Sequence, residues 1–557
     1  MLFNSITFAI FFIVVFGLYW LLRQHYRKQN CLLLIASYIF YGWWDVRFLF
    51  LIVLATVVDY CSSITLDKGK LSLGQKFKGF SALLGSCLVF VTLDWNAVHF
   101  TIKGHLPSIS INWQQLCEGS SFGWHIFGVA AAGIVAYNIV HVLTKRLRPE
   151  VFRKVHLFVS IILNLGILGF FKYFNFFAES FAEVYKALFH ASPGDITLHI
   201  ILPVGISFFT FQTMSHTIDV FRKKIPATES LLELAVYVSF FPQLVAGPIE
   251  RGEHLLPQFQ KPRTWHKDEW RHSVWLIFWG LFKKLVVADN LAVLVNSTFA
   301  PFDHLSGMVS VPDDGLRILI AIYAFSFQIY CDFSGYTDIA RGVAKLLGFD
   351  IMLNFNLPYF ATTPSDFWRR WHISLSSWLR DYLYIPLGGN RGKGWFTYRN
   401  LMITMVLGGL WHGAAWTFVL WGGFHGIILS IYRLLGVRSE KNSYSWWQSM
   451  LLGLIMFHLV CLGWLLFRAQ NLATIQIFLQ SIILHPYSSP AAMEALKTLL
   501  FYTWFLILFQ IVQYKTGSLD PLARMHWFVR LNIWIFVIMS LMSLAARGGQ
   551  EFIYFAF

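Results

Sequence analysis

Apolar stretches near the length of a membrane crossing recur from one end of this chain to the other. A helix spans the hydrocarbon core with about 20 mainly apolar residues. No water-soluble core takes up so many such runs within 557 residues, so the bilayer is the solvent. The composition agrees: mean hydropathy is +0.56 and only 13% of residues are charged, against about 25% in soluble proteins. Aromatic residues make up 18%, with 23 Trp and 55 Phe. Many of them stand near segment ends, where amphipathic rings favour the headgroup layer. The expected fold class is an all-α polytopic membrane protein, with roughly 11–14 transmembrane helices plus re-entrant and interfacial helices. The chain reads as one integral membrane unit over 1–557: N-terminal helices in 1–198, a motif-rich core in 199–435, and C-terminal helices and tail in 436–557.

The net charge of +15 would suggest nucleic acid in a soluble protein. Here Lys and Arg gather in short loops, as in 23–30, 66–79 and 145–154. The positive-inside rule accounts for them, and no exposed domain of usable size is left to bind nucleic acid. The first apolar run, Thr7–Leu22, has its positive residues after it (Arg23, Arg27, Lys28). A cleavable leader has the reverse order, so this run is read as a retained helix with its N-terminus outside. The same count puts the tail from Arg547 to Phe557 outside. The stretch Leu231–Pro248 is apolar yet cytoplasmic at both ends, as in a re-entrant segment. The segment 338–400 reads as interfacial helices and re-entrant loops. The six cysteines form no CxxC pair and read as small buried hydrophobes; no metal site is expected.

Two stretches carry polar groups where an apolar chain should have none. The first runs Thr363-Pro364-Ser365-Asp366-Phe367-Trp368-Arg369-Arg370-Trp371-His372-Ile373-Ser374-Leu375-Ser376. Pro, Ser and Asp open a helix, which is expected to run on to Tyr384. Helical spacing then puts Trp368, His372 and Ser376 on one face. The plain reading is an interfacial helix with Arg on lipid phosphates. The functional one is a cationic mouth for a phosphate-bearing acyl donor, with His372 facing inward. The second stretch is Leu407-Gly408-Gly409-Leu410-Trp411-His412-Gly413-Ala414-Ala415-Trp416, and His412 is its sole ionisable group. Gly408 and Trp416 flank it at four positions either side. The glycines and alanines remove bulk, so a substrate or another backbone comes close. The plain reading is a helix-packing histidine. The functional one is a buried general base, because desolvation favours the neutral imidazole that accepts a proton. Asp332, Asp338, His216 and Asp219 are weaker signals: they bond backbone or line a channel. His425 and His458 read as packing. No HExxH, P-loop or GxSxG motif is present, so metalloprotease, ATPase and serine-hydrolase readings have no support.

Together, WRRWHISLSSWLRDYLYIPLGGNR (368–391) and GGLWHGAAWTFVLWGGFHG (408–426) resemble the membrane-bound O-acyltransferase (MBOAT) family. The resemblance is to the bacterial branch that includes the alginate O-acetylation membrane subunit. LPVGISFFTFQTMSHTIDVFR (202–222), FFPQLVAGPIER (240–251) and DFSGYTDIARGVAKLLGF (332–349) resemble the same branch. The resemblance implies a conical fold with a thinned centre and a central tunnel. It puts the family's two histidines on His372 and His412, with His412 catalytic. On that reading Arg369, Arg370, Trp368 and Trp371 bind the donor, and Trp411, Trp416, Asp332 and Ser376 line the tunnel. The implied donor is a cytoplasmic thioester, acetyl-coenzyme A or an acyl-carrier thioester, with no permanently bound cofactor. The implied partners are membrane lipid, a periplasmic SGNH-type acetyltransferase and, indirectly, a polysaccharide acceptor. The location is the bacterial inner membrane. Similar aromatic endings occur in this branch, which makes Tyr554 a candidate acyl acceptor; the alternative is an interfacial anchor. Two other functions compete: D-alanyl transfer to teichoic acid, and, in another class, a transporter for an envelope precursor, with His412 and Asp332 as a proton path.

Overall fold

A computed structural model describes residues 1–103, 106–118, 121–190, 194, 196–198, 200–264, 267–303, 311–391, 394–437, 445–546 and 552–553. Among them, nine helices are long and apolar enough to cross a membrane, from Val46–Lys68 to Trp527–Leu544, and two shorter apolar helices, Ile6–Leu21 and Leu472–Leu484, join them. The protein is an all-α polytopic membrane protein. One departure is a two-stranded antiparallel hairpin, Val98–Lys103 with Leu106–Ile111, in register from Val98 opposite Ile111.

The longest helix in the core is Gly315–Leu346, with 32 residues. It packs backbone to backbone on the helix Lys267–Leu281. A side chain on Gly335 would stand 2.8 Å from the carbonyl oxygen of Gly280, and one on Gly342 would stand 2.6 Å from that of Ser273. Without a hydrophobic drive between helices in lipid, such small-residue seams let dispersion act at close range.

Several polar side chains inside this core are paired. Asp59, on the helix Leu49–Lys68, is fully buried. It takes His216 Nδ1 at 2.9 Å and the Thr217 hydroxyl at 2.6 Å, both from the helix Ile206–Phe221. Asp219 accepts from the Tyr382 hydroxyl at 2.6 Å. His216 and Asp219 therefore tie helices together.

The stretch after Leu231 forms a nine-residue helix, Leu231–Ser239. It is followed by non-helical backbone in which Phe240, Phe241, Gln243, Leu244 and Ala246 are buried. Irregular backbone that is buried needs protein around it to satisfy its polar groups. The expected single helix from Pro364 to Tyr384 is instead broken. It forms as Pro364–Arg370 and Ile373–Leu379, with a π-helical turn at Arg380–Tyr384.

Candidate active site

The break falls on Trp371 and His372, and a tertiary contact makes it. Asn354, wholly buried, takes the Ile373 N–H on its carbonyl at 2.9 Å. Its side-chain oxygen takes the Ser374 N–H at 3.2 Å and the Ser374 hydroxyl at 2.9 Å. These bonds turn the chain at His372, which stands in the left-handed region at φ 43°. Such a conformation is strained for a residue with a side chain and collects at functional sites. His372 then caps the next helix itself, Nδ1 accepting the Leu375 N–H at 3.3 Å. An Nδ1 that accepts puts the proton of a neutral imidazole on Nε2.

His412 ends the helix Gly394–His412, so the expected i+4 relation to Trp416 does not form: Trp416 opens the next helix, Trp416–Leu434. The two helices run back to back through glycines. A side chain on Gly409 would collide with the Phe418 carbonyl and stand 3.0 Å from the Gly422 nitrogen. The last carbonyls of the His412 helix are satisfied from elsewhere. Lys172 Nζ donates to the carbonyls of Trp411 at 2.7 Å and His412 at 3.0 Å, and the Tyr173 hydroxyl donates to that of Leu410 at 2.9 Å. A cation suits the negative end of a helix dipole.

These two local structures bring the histidines together. Their rings are 6.2 Å apart, nearly perpendicular at 76°, and both are buried. Around His412 stand Trp421 at 5.0 Å, Trp411 at 5.1 Å and Phe467 at 5.5 Å. Around His372 stand Phe333 at 4.8 Å and Trp411 at 5.8 Å. The result is an imidazole pair inside an aromatic enclosure.

The other expected site residues divide. Trp411 joins the enclosure. Trp371 is buried, 4.8 Å from the Trp464 ring, rather than at a mouth. Trp368 packs on His425 at 5.1 Å and Trp421 at 5.7 Å. Arg370 is held by Asp366 at 2.9 Å, while Arg369 is exposed. The Ser376 hydroxyl is spent on the Trp371 carbonyl at 3.1 Å, so the shared face with Trp368 and His372 is lost with the helix break. Trp416 stands apart, 55% exposed and against Phe176. Asp332 is buried in an ion pair with Lys284 at 2.7 Å. Tyr554 lies outside the described residues, as does most of the tail from Arg547. Lys172 is not among the residues singled out from the sequence. The signal that found His412, one ionisable group in an apolar run, applies to Lys172 equally.

A second cluster lies at the end of the FFPQLVAGPIER stretch. Glu250 is wholly buried and accepts from the Met352 N–H at 2.5 Å and from His254 Nδ1 at 2.8 Å. Burial raises the Glu250 carboxyl above its ordinary range. The hydrogen bond to Glu250 raises His254. Arg251 lies over the Tyr382 ring, 4.4 Å from its centre.

An all-helical, multi-pass membrane protein with a histidine pair sealed in its aromatic core is the class that fold and site define. The model of the MBOAT, membrane-bound O-acyltransferase family matches residues 132–462, and the chain belongs to that family. It is 38% identical to the probable alginate O-acetylase AlgI of Pseudomonas aeruginosa, over 85% of this chain and 73% of that one. It is 37% identical to a peptidoglycan O-acetyltransferase of Helicobacter pylori, over 61% of this chain and 67% of that one. It is 28% identical to a teichoic acid D-alanyltransferase of Bacillus subtilis, over 52% of this chain and 74% of that one. The protein is an acyltransferase of the O-acyl type.

Proposed function

We propose that the protein takes an acetyl group from a cytoplasmic thioester, acetyl-coenzyme A or an acyl-carrier thioester, and passes it across the bacterial inner membrane. The group then serves O-acetylation of an extracytoplasmic polysaccharide such as alginate, through a periplasmic SGNH-type acetyltransferase. The observation that carries this is the meeting of His372 and His412 at 6.2 Å in a buried aromatic enclosure. A polar pair in an apolar core is costly, and such groups mark functional sites. Acetyl transfer to a polysaccharide is favoured over D-alanyl transfer to teichoic acid. The 38% likeness to the alginate O-acetylase extends over 85% of the chain, against 28% over 52% for the D-alanyltransferase.

His412 is the general base. It takes the proton of an acceptor hydroxyl, assigned here to Tyr554. The oxygen attacks the thioester carbonyl carbon, the C–S bond breaks, and the thiolate leaves and takes up a proton. His372, with its proton on Nε2, donates to the carbonyl oxygen as negative charge builds there. The tyrosyl ester is then handed to the partner, and phenolate is a good leaving group in that second transfer. Radioactive acetyl-coenzyme A given to proteoliposomes should label Tyr554 when no partner is present, and Tyr554→Phe should remove the label and the polymer acetylation. No labelled protein or product would leave the transporter reading. Full acetylation by Tyr554→Phe would leave the tail as an anchor.

A further inference from the structure

After the helix Trp527–Leu544 the chain turns back toward the core. Asn290 Nδ2 donates to the Leu544 carbonyl at 2.9 Å, and the Ala546 N–H donates to that of Leu285 at 3.1 Å. Both partners belong to the wall formed by the π-helical turn Phe282–Ala288 and the helix after it. The chain then reaches the inside of the protein at Phe552 and Ile553, which are 2% and 9% exposed. The Phe552 ring lies 4.9 Å from Tyr336, and Tyr336 is stacked at 4.5 Å on Phe3. The two ends of the chain thus meet on one tyrosine of the helix Gly315–Leu346.

The Ile553 N–H donates to Asp332 Oδ2 at 2.7 Å. The other oxygen, Oδ1, pairs with Lys284 at 2.7 Å, and Lys284 also reaches Asp289 at 2.8 Å. A carboxylate in the core is expensive unless paired, and so is a buried backbone N–H. Asp332 satisfies both costs with one oxygen each. The place is also telling. Phe552 packs on Phe333 at 5.9 Å, and Phe333 packs on His372 at 4.8 Å. One ring, Phe333, separates Phe552 from His372.

We infer that Asp332, held by Lys284, is a positioning residue: it latches the C-terminal tail against the wall of the histidine site. The acyl-transfer reading above supplies only the reason this matters, since Ile553 directly precedes Tyr554 in the sequence. The latch needs an acceptor oxygen rather than a charge. Asp332→Asn keeps the oxygen and leaves Lys284 to Asp289. Asp332→Leu keeps the branched shape and removes both oxygens. Ile553→Pro removes the N–H from the tail side and leaves the ion pair intact.

Hydrogen–deuterium exchange of the full chain in lipid nanodiscs reads the latch without any acyl donor. The peptide holding Ile553 should exchange at least about 10-fold faster in Asp332→Leu and Ile553→Pro than in the parent. In Asp332→Asn it should stay within about 2-fold of the parent. The helix Ile206–Phe221 should keep its protection in all three. Acetyl transfer should fall with tail protection, and return in Asp332→Asn. Unchanged tail protection in Ile553→Pro or in Asp332→Leu overturns the latch. Loss of protection with full transfer overturns its positioning role. An Asp332-dependent tail in a protein that transfers no acetyl group would keep the latch and sink the acetyl reading instead.

Discussion

His372 opens one helix and His412 closes another, and their rings lie 6.2 Å apart although forty positions separate them. Each ring is aimed by a different tertiary contact, Asn354 for the first and Lys172 for the second. The two histidines are therefore expected to fail differently. His412→Ala and His412→Gln should lower acetyl transfer by at least about 100-fold, the range of a lost general base, with normal membrane accumulation. His372→Ala should leave a measurable residue, since it removes a donor rather than the base. Polymer acetylation at parental level in a His412→Ala strain would sink the assignment.

Lys172 holds the end of the His412 helix by two carbonyls. Lys172→Met should free that end and misplace the imidazole. Turnover should fall about 10-fold, the worth of roughly one charge-assisted hydrogen bond, with the Michaelis constant for the donor unchanged. Lys172→Arg should restore most of it. A raised Michaelis constant with normal turnover would show that Lys172 meets the donor instead.

The adjacent arginines should separate as well. Arg369 is exposed and available to phosphates, so Arg369→Gln should raise the donor Michaelis constant, about 3- to 10-fold. Arg370 is tied to Asp366 at 2.9 Å and donates to the Asn356 carbonyl at 3.3 Å. Arg370→Gln should lower the thermal midpoint and leave that constant alone. Kinetics and melting of the two purified variants decide between mouth and brace.

His254 gives a pH dependence with a definite sign. The Glu250 hydrogen bond raises its folded pKa above the unfolded value of about 6.5. Its contribution is thus complete below that value and fades as pH rises through the folded one. Asp350, 3.8 Å from Nε2, pulls in the same direction. The thermal midpoint should fall as pH rises above about 6.5, and His254→Phe should flatten the slope. An equal slope in that variant would assign the effect to other groups.

The membrane class was legible because apolarity is written along one dimension, and a run of twenty such residues has few other uses. The histidines were legible for the complementary reason, as polar groups in the wrong solvent. Their meeting was not. Nothing in the run from Pro364 to Tyr384 signals a break, since Trp, Arg, Ile, Ser and Leu all tolerate a helix. The break comes from Asn354, a residue with no local oddity. Lys172 was hidden by its neighbours: placed just past an apolar run, it passes for a loop charge until the helix is seen to continue through it as Pro149–Phe189. The tail admitted two readings. Phe552 and Ile553 turn inward to Tyr336 and Asp332, which the apolar and aromatic letters of the ending leave undecided.

The glycine contact between Gly394–His412 and Trp416–Leu434 has a mechanical consequence. With Gly409 against the Phe418 carbonyl and Gly422, the two helices touch through main chain along this stretch. They move as one stiff strut. A passage beside His412 is then expected to open by rotation of the rings around it, Trp411, Trp421 and Phe467, and not by parting of the two helices. Tethering the strut covalently, with Met402→Cys and Gly426→Cys where those residues adjoin, should therefore leave turnover intact, and a tether that stopped it would place the hinge in the helices.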